Sequence, residues 1–125
     1  MARVAHVALI PASHPLARKR SLRLHDLEAL PAFLCFRRPD NPPLYDYFSA
    51  LYRASGFRPP REEVAQGTVA TLSQIAAGRG CTVMPRIVAR RSHPGVVARR
   101  LLDEVHVDVA LAARDDLEPA LQEAP

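Results

Sequence analysis

Apolar positions in this chain fall into short blocks separated by proline, glycine and charge. Residues 4–10 (Val-Ala-His-Val-Ala-Leu-Ile) are dense in β-branched and aliphatic side chains and end at Pro11, the pattern of a buried strand. Pro11 to Arg20 reads as a turn or linker. Ser21 offers an N-cap for a short helical segment with Leu24, Leu27 and Leu30 spaced three apart. Ala32 to Phe36, with Pro31 before it and Arg37-Arg38-Pro39 after it, predicts a second buried strand. Asn41 followed by Pro42 places a side-chain acceptor and a fixed φ at a helix start. Leu44, Phe48, Leu51 and Tyr52 then recur at helical spacing, and Gly56 ends the helix as a left-handed cap.

Glu62 to Gln66 is a further strand candidate. Thr68 is expected to cap the next helix, with Val69, Leu72, Ile75 and Ala76 on one face and Gly78 closing it. Cys81 to Met84 predicts a strand ended by Pro85, and Arg86 to Arg91 a short helix. His93-Pro94-Gly95 breaks the chain, Val96 to Leu101 extends, Val105 to Ala113 forms a last strand, and Leu117 to Gln122 opens a helix. Strands that are apolar along their whole length must be covered on both faces. Their alternation with helices predicts an α/β layer structure with a mainly parallel sheet. Ligands in such sheets bind beyond the carboxyl ends of the strands. Two loops fit that position, Arg37 to Asn41 and Gln66 to Thr68. The second leads into a helix N-terminus, which favours an anion.

Composition sets limits on this reading. A chain of 125 residues, 48% hydrophobic and 24% charged, can bury the core of one domain. No apolar run nears the roughly 20 residues that span a bilayer. Met1 to Ile10 carries a single arginine and a histidine rather than the basic and apolar regions of a secretory signal, so a cytoplasmic location is expected and no membrane partner. Cys35 and Cys81 each sit within an apolar run and read as small buried hydrophobes. The net charge of +4 invites a nucleic-acid reading. However, the basic residues are scattered, all but Lys19 are arginine, and Arg18-Lys19-Arg20 has no interleaved aromatic residue to stack bases.

Candidate chemistry centres on the two loops. Arg37 and Arg38, just past Phe36, have the planar fork that grips a carboxylate; a solvated loop charge is the equal alternative. Thr68 has a hydroxyl for a ligand or for its own helix, the capping role being simpler. Gly67 lets a ligand approach the backbone or merely serves the turn. Phe36, Arg37, Arg38, Gln66, Gly67 and Thr68 are thus the expected ligand-binding residues. The histidines (His6, His14, His25, His93, His106) include no pair at metal-ligand spacing, and neither cysteine belongs to a Cys-x-x-Cys arrangement. No metal or cofactor is expected. With no glycine-flanked nucleophilic serine, phosphate-binding loop or carboxylate pair, neither is an enzyme.

Three stretches, in order, resemble the effector-binding domain of LysR-type transcriptional regulators. The first is Val7-Ala-Leu-Ile-Pro-Ala-Ser-His-Pro-Leu-Ala17, followed by Ser21 to Leu27. The second is Pro31-Ala-Phe-Leu-Cys-Phe36 with its polar loop and a helix ending Ala54-Ser-Gly-Phe57. The third is Thr71-Leu-Ser-Gln-Ile-Ala-Ala-Gly-Arg-Gly-Cys-Thr-Val-Met-Pro85. His93-Pro-Gly-Val-Val97 and the strand from Val105 fit the segments that come next in the family. Arg37-Arg38-Pro39-Asp40 departs from the more neutral loop common there.

The resemblance implies a periplasmic-binding-protein-like (type 2) fold, two α/β lobes with a small-molecule effector in the cleft between them. It also implies that residues 1–10 are a residual crossover strand of lobe one, 11–100 the effector-binding lobe two, and 101–125 a returning strand and partial helix of lobe one. The winged helix-turn-helix and part of lobe one would then be missing. The expected function is ligand sensing with a small, anionic metabolite and without direct DNA contact, through a homodimer or a pairing with a full-length regulator. The alternatives are a non-functional truncated remnant and a module that acts only by forming mixed dimers.

Overall fold

Strand β1 (Arg3–Pro11) is the longest strand among the described residues, and the sheet is built around it. The computed structural model describes residues 3–64, 67–90, 93–103 and 105–108. The other strands are β2 (Ser21–Leu22), β3 (Phe33–Phe36), β4 (Arg61–Val64), β5 (Thr82–Pro85), β6 (Val96–Leu101) and β7 (His106–Asp108). β1 lies antiparallel to β5, β6 and β7, pairing Leu9 with Thr82, Val7 with Arg100 and Val4 with Val107. β2 joins β6 in parallel, and β4 joins β3 in parallel. A parallel bridge between Phe33 and Cys81 links the β3–β4 pair to the β5 side.

The sheet is therefore mixed rather than simply parallel. Among the described residues, β1 alone runs against the direction shared by the other strands. The expectation of a mainly parallel sheet overlooked this reversal because strand direction leaves no mark on an apolar run. The α/β layering itself is as expected. Even-numbered Ala8 and Ile10 of β1 join a core with Leu22, Leu27, Phe33, Leu44, Val105 and Val107. Odd-numbered Leu9 joins Leu34, Leu72, Ile75, Met84 and Val88 on the opposite side. Alternation along a strand buried on both faces requires this split.

Among the described residues, three α-helices cover the sheet: α1 (Pro42–Ala54), α2 (Thr68–Ala76) and α3 (Arg86–Ala89). α1 begins as its sequence predicts, with Asn41 Oδ1 accepting from the Leu44 N–H at 3.3 Å. It ends with Gly56 at φ +73°, where Gly56 N–H donates to the Arg53 carbonyl and Phe57 N–H to that of Tyr52. The Tyr52 and Phe57 rings meet edge to face at 5.3 Å. These two hydrogen bonds and the apolar contact across the turn satisfy the free carbonyls of a helix end.

Two expected caps are corrected. Ser21 caps no helix, because its backbone is held in β2 opposite Arg100. Leu24–Ala29 forms a 3-10 helix instead, entered at Arg23, whose N–H donates to Asp26 Oδ2 at 2.9 Å. Gly67 takes the cap position of α2, so Thr68 becomes its first helical residue and its hydroxyl is not used as a cap. Residues 109–113 of the expected last strand and the expected helix 117–122 lie outside the described residues, as do the last two residues of the expected strand 62–66.

Candidate functional site

β3 and β5 lie side by side because Leu34 N–H donates to the Cys81 carbonyl at 2.8 Å and Cys81 N–H to that of Ala32 at 3.0 Å. Thr82 Oγ1 adds a bond to the Leu34 carbonyl at 2.7 Å. Beyond these strands, between α1 and the start of α2, lies a cavity of about 360 Å³. Phe36, Tyr45 and Phe48 supply aromatic wall, and Ser49, Thr68, Thr71 and Thr82 supply hydroxyls. Arg61 reaches it from β4, with Nη1 3.5 Å from Ser49 Oγ.

Three of the residues expected from sequence meet here. Phe36, Gly67 and Thr68 line the same cavity, so the loops after β3 and before α2 open on one end of the sheet. Gln66 lies outside the described residues. Arg37 and Arg38 are absent from the lining, and both meet carboxylates. Arg37 Nη2 lies 3.2 Å from Asp40 Oδ1, and Arg38 is bidentate to Asp46 at 3.0 and 2.9 Å. The Asp46 hydrogen bond raises the Arg38 pKa, and the same bond lowers that of Asp46.

Arg61 was missed because the strand candidate was drawn to begin at Glu62. The parallel register that sets Arg61 opposite Phe33 cannot be read from a four-residue segment. The guanidinium is exposed and forms no ion pair among the described residues. The cavity lining also includes one acid, Asp40, which Arg37 pairs at 3.2 Å. α2 adds the N–H groups of its first turn, which no helical carbonyl precedes to accept. Thr71 and Thr82 donate to the Gly67 and Leu34 carbonyls, leaving their oxygens as acceptors. The Thr68 hydroxyl has no hydrogen bond among the described residues.

The cysteines are not poised for chemistry. Burial raises the pKa of Cys35, at the cavity wall, against the pull of Arg61. It pushes that of Cys81 up to about 12. No group of three or more His, Cys, Asp or Glu among the described residues is arranged to hold a metal ion. No described helix is long and apolar enough to cross a membrane.

Comparison with known proteins agrees with this architecture. The family model of the LysR substrate binding domain matches residues 1–124. The HTH-type transcriptional regulator TtuA of Agrobacterium vitis is 29% identical over 90 residues, which cover 72% of this chain and 29% of TtuA. The LysR family transcriptional regulator CbnR superposes with a TM-score of 0.70 at 24% identity, over 85% of this chain and 37% of CbnR. The BenM effector binding domain, solved with its effector benzoate, gives 0.67 at 22% identity, over 81% of this chain and 48% of that one. The chain belongs to the LysR substrate-binding-domain family. Its fold is the periplasmic-binding-protein-like fold of LysR effector domains, and it spans less than half the length of each of these relatives.

Proposed function

We propose that the cavity beyond β3 and β5 is the effector site of a ligand-sensing domain, and that it takes a small anionic metabolite with an apolar body. The observation that carries this reading is Arg61, a cation without a carboxylate partner among the described residues, facing the same cavity as the start of α2. A ligand carboxylate would accept from Arg61, from the Thr68 hydroxyl and from N–H groups of the first turn of α2. Its apolar part would lie against Phe36, Tyr45 and Phe48, with Gly67 keeping the entrance clear. Benzoate, the effector of the similar BenM domain, has this combination of ring and carboxylate.

In this reading the described residues form the effector lobe, β1 and β7 included, because β1 pairs with β5 and β6 and Ala8, Ile10, Val105 and Val107 share one core with Leu22 and Phe33; the other lobe of a two-lobed fold would close over the ligand. The sensing output is a change in lobe position. In a longer regulator that change would reach DNA-binding domains through the dimer; this chain would act by pairing with itself or with such a regulator.

Thermal-shift measurements with benzoate and other small carboxylates test the site, since a ligand that prefers the folded state raises the melting temperature. A rise in the wild type that Arg61→Gln removes supports the reading. A full panel without any shift would favour a remnant that binds no effector.

A further inference from the structure

A second concavity, of about 530 Å³, lies on the α3 face of the sheet, away from the cavity beside α2. Val7 and Arg100 are direct partners across the β1–β6 ladder, so their side chains share a face. Val7 packs with the core that includes Val88 and Ala89 of α3, which puts Arg100 on that side too. Arg86 and Arg90, one helical turn apart along α3 and its end, line the same space, whose floor is Val7, Ala89 and Ala98. All three arginines are exposed. None forms an ion pair among the described residues, and no described carboxylate lines the concavity.

Like charges one turn apart repel, and Arg100 brings a third to the same space. Arg99 also lines the concavity, but its guanidinium is engaged, donating to the Ala17 and Ala98 carbonyls at 2.8 Å each. Arg37 and Arg38 contrast with this, each neutralised by an aspartate a few residues on. We propose that Arg86, Arg90 and Arg100 form a second site, for a compact, multiply charged oxyanion such as a polyphosphate or a tricarboxylate. Forked guanidiniums on two elements would each donate to a different edge of such a ligand. Its binding would tie α3 to β6, next to the β1 segment that pairs with β7.

Calorimetric titration of the 125-residue chain at low ionic strength, with pyrophosphate and separately with citrate, tests the site and distinguishes the two chemistries. Binding is expected for at least one of them. It should weaken about tenfold for Arg100→Gln, the worth of one hydrogen bond to a charged group, and disappear in the Arg86→Gln/Arg90→Gln double variant. Arg61→Gln should leave it unchanged, so this result is independent of the effector cavity. Circular dichroism melts check the fold of each variant, and Arg86→Lys/Arg90→Lys, which keeps the charge, should recover part of the affinity. Absence of binding by both anions, equal binding by the double variant, or loss on Arg61→Gln would overturn the proposal. So would a preference for duplex DNA over either small anion.

Discussion

Arg38 meets Asp46 fork to fork, with Nε 3.0 Å from Oδ1 and Nη2 2.9 Å from Oδ2. The pair fastens the loop after β3 to the first turns of α1, and it fills the donor edge that a ligand carboxylate would need. Arg61 has no such partner among the described residues and lines the cavity. Substitution should therefore separate the two. Arg61→Ala is expected to weaken effector affinity about tenfold or more, whereas Arg38→Ala should leave it within about twofold. Titration of both variants with a carboxylate that binds the wild type checks this. A larger loss for Arg38→Ala would return the anion site to the loop.

Gly67 sits at φ −74°, and a β-carbon there would meet nothing within 4 Å. The backbone does not demand glycine, so the residue matters for the space it leaves at the cavity. As the cap residue of α2, Gly67 should lose about 0.5–1 kcal/mol of stability on replacement by Ala or Leu, since both are poorer N-caps. Gly67→Leu should stay folded yet bind a carboxylate poorly. Chemical denaturation alongside titration distinguishes these effects; a Gly67→Leu protein that binds normally would remove the loop before α2 from the site.

Much of this arrangement was legible in the residues. The apolar blocks marked β1, β3, β5 and β6 but not the short β2 or the charged β4, and Asn41-Pro42 and Gly56 bounded α1 because capping chemistry is local. That Phe36, Gly67 and Thr68 share one cavity follows from strand ends and helix starts, which are marked in sequence. The reversal of β1 and the place of Arg61 were not, since both depend on pairings between segments far apart in the chain. The aspartates that occupy Arg37 and Arg38 were visible at positions 40 and 46, but the approach of Asp46 requires the turn between β3 and α1 to be in place. The sequence likewise could not say that Gly67, not Thr68, caps α2.

His6 supplies a pH dependence. Its ring is 4% exposed, lies edge-on to Phe48 at 5.4 Å, and has Nδ1 3.0 Å from the Val4 carbonyl. Nε2 is buried without a hydrogen-bond partner among the described residues. Burial, aided by His106, lowers the pKa from 6.5 to about 4, against the Val4 hydrogen bond. The unfolded chain thus takes up a proton between these values while the folded chain does not. Stability is unaffected by His6 above pH 6.5, falls as pH drops from 6.5 towards 4, and is fully penalised below 4. The total is roughly 3 kcal/mol. Urea unfolding at about pH 7.5, above this window, and at about pH 4.5, near its lower end, should show a drop that is markedly smaller in His6→Phe; an equal drop in both proteins would place the titration elsewhere.

Gly80 governs whether β3 and β5 stay together. A β-carbon at this position would strike the carbonyl of Ala32, the same oxygen that accepts from Cys81 N–H. The obstacle is backbone rather than the tip of a flexible side chain, so it cannot swing away. Gly80→Ala must move the strands apart or lose that bond, at a cost of about 1–3 kcal/mol. The damage should extend to binding, because Phe33, Leu34 and Thr82, which hold the strands in register, also line the cavity proposed for the effector. A lowered urea midpoint together with weakened carboxylate affinity is the expected outcome. Wild-type stability in Gly80→Ala would mean that the β3–β5 contact does not depend on the close approach at this glycine, and that the cavity floor is held by other bonds.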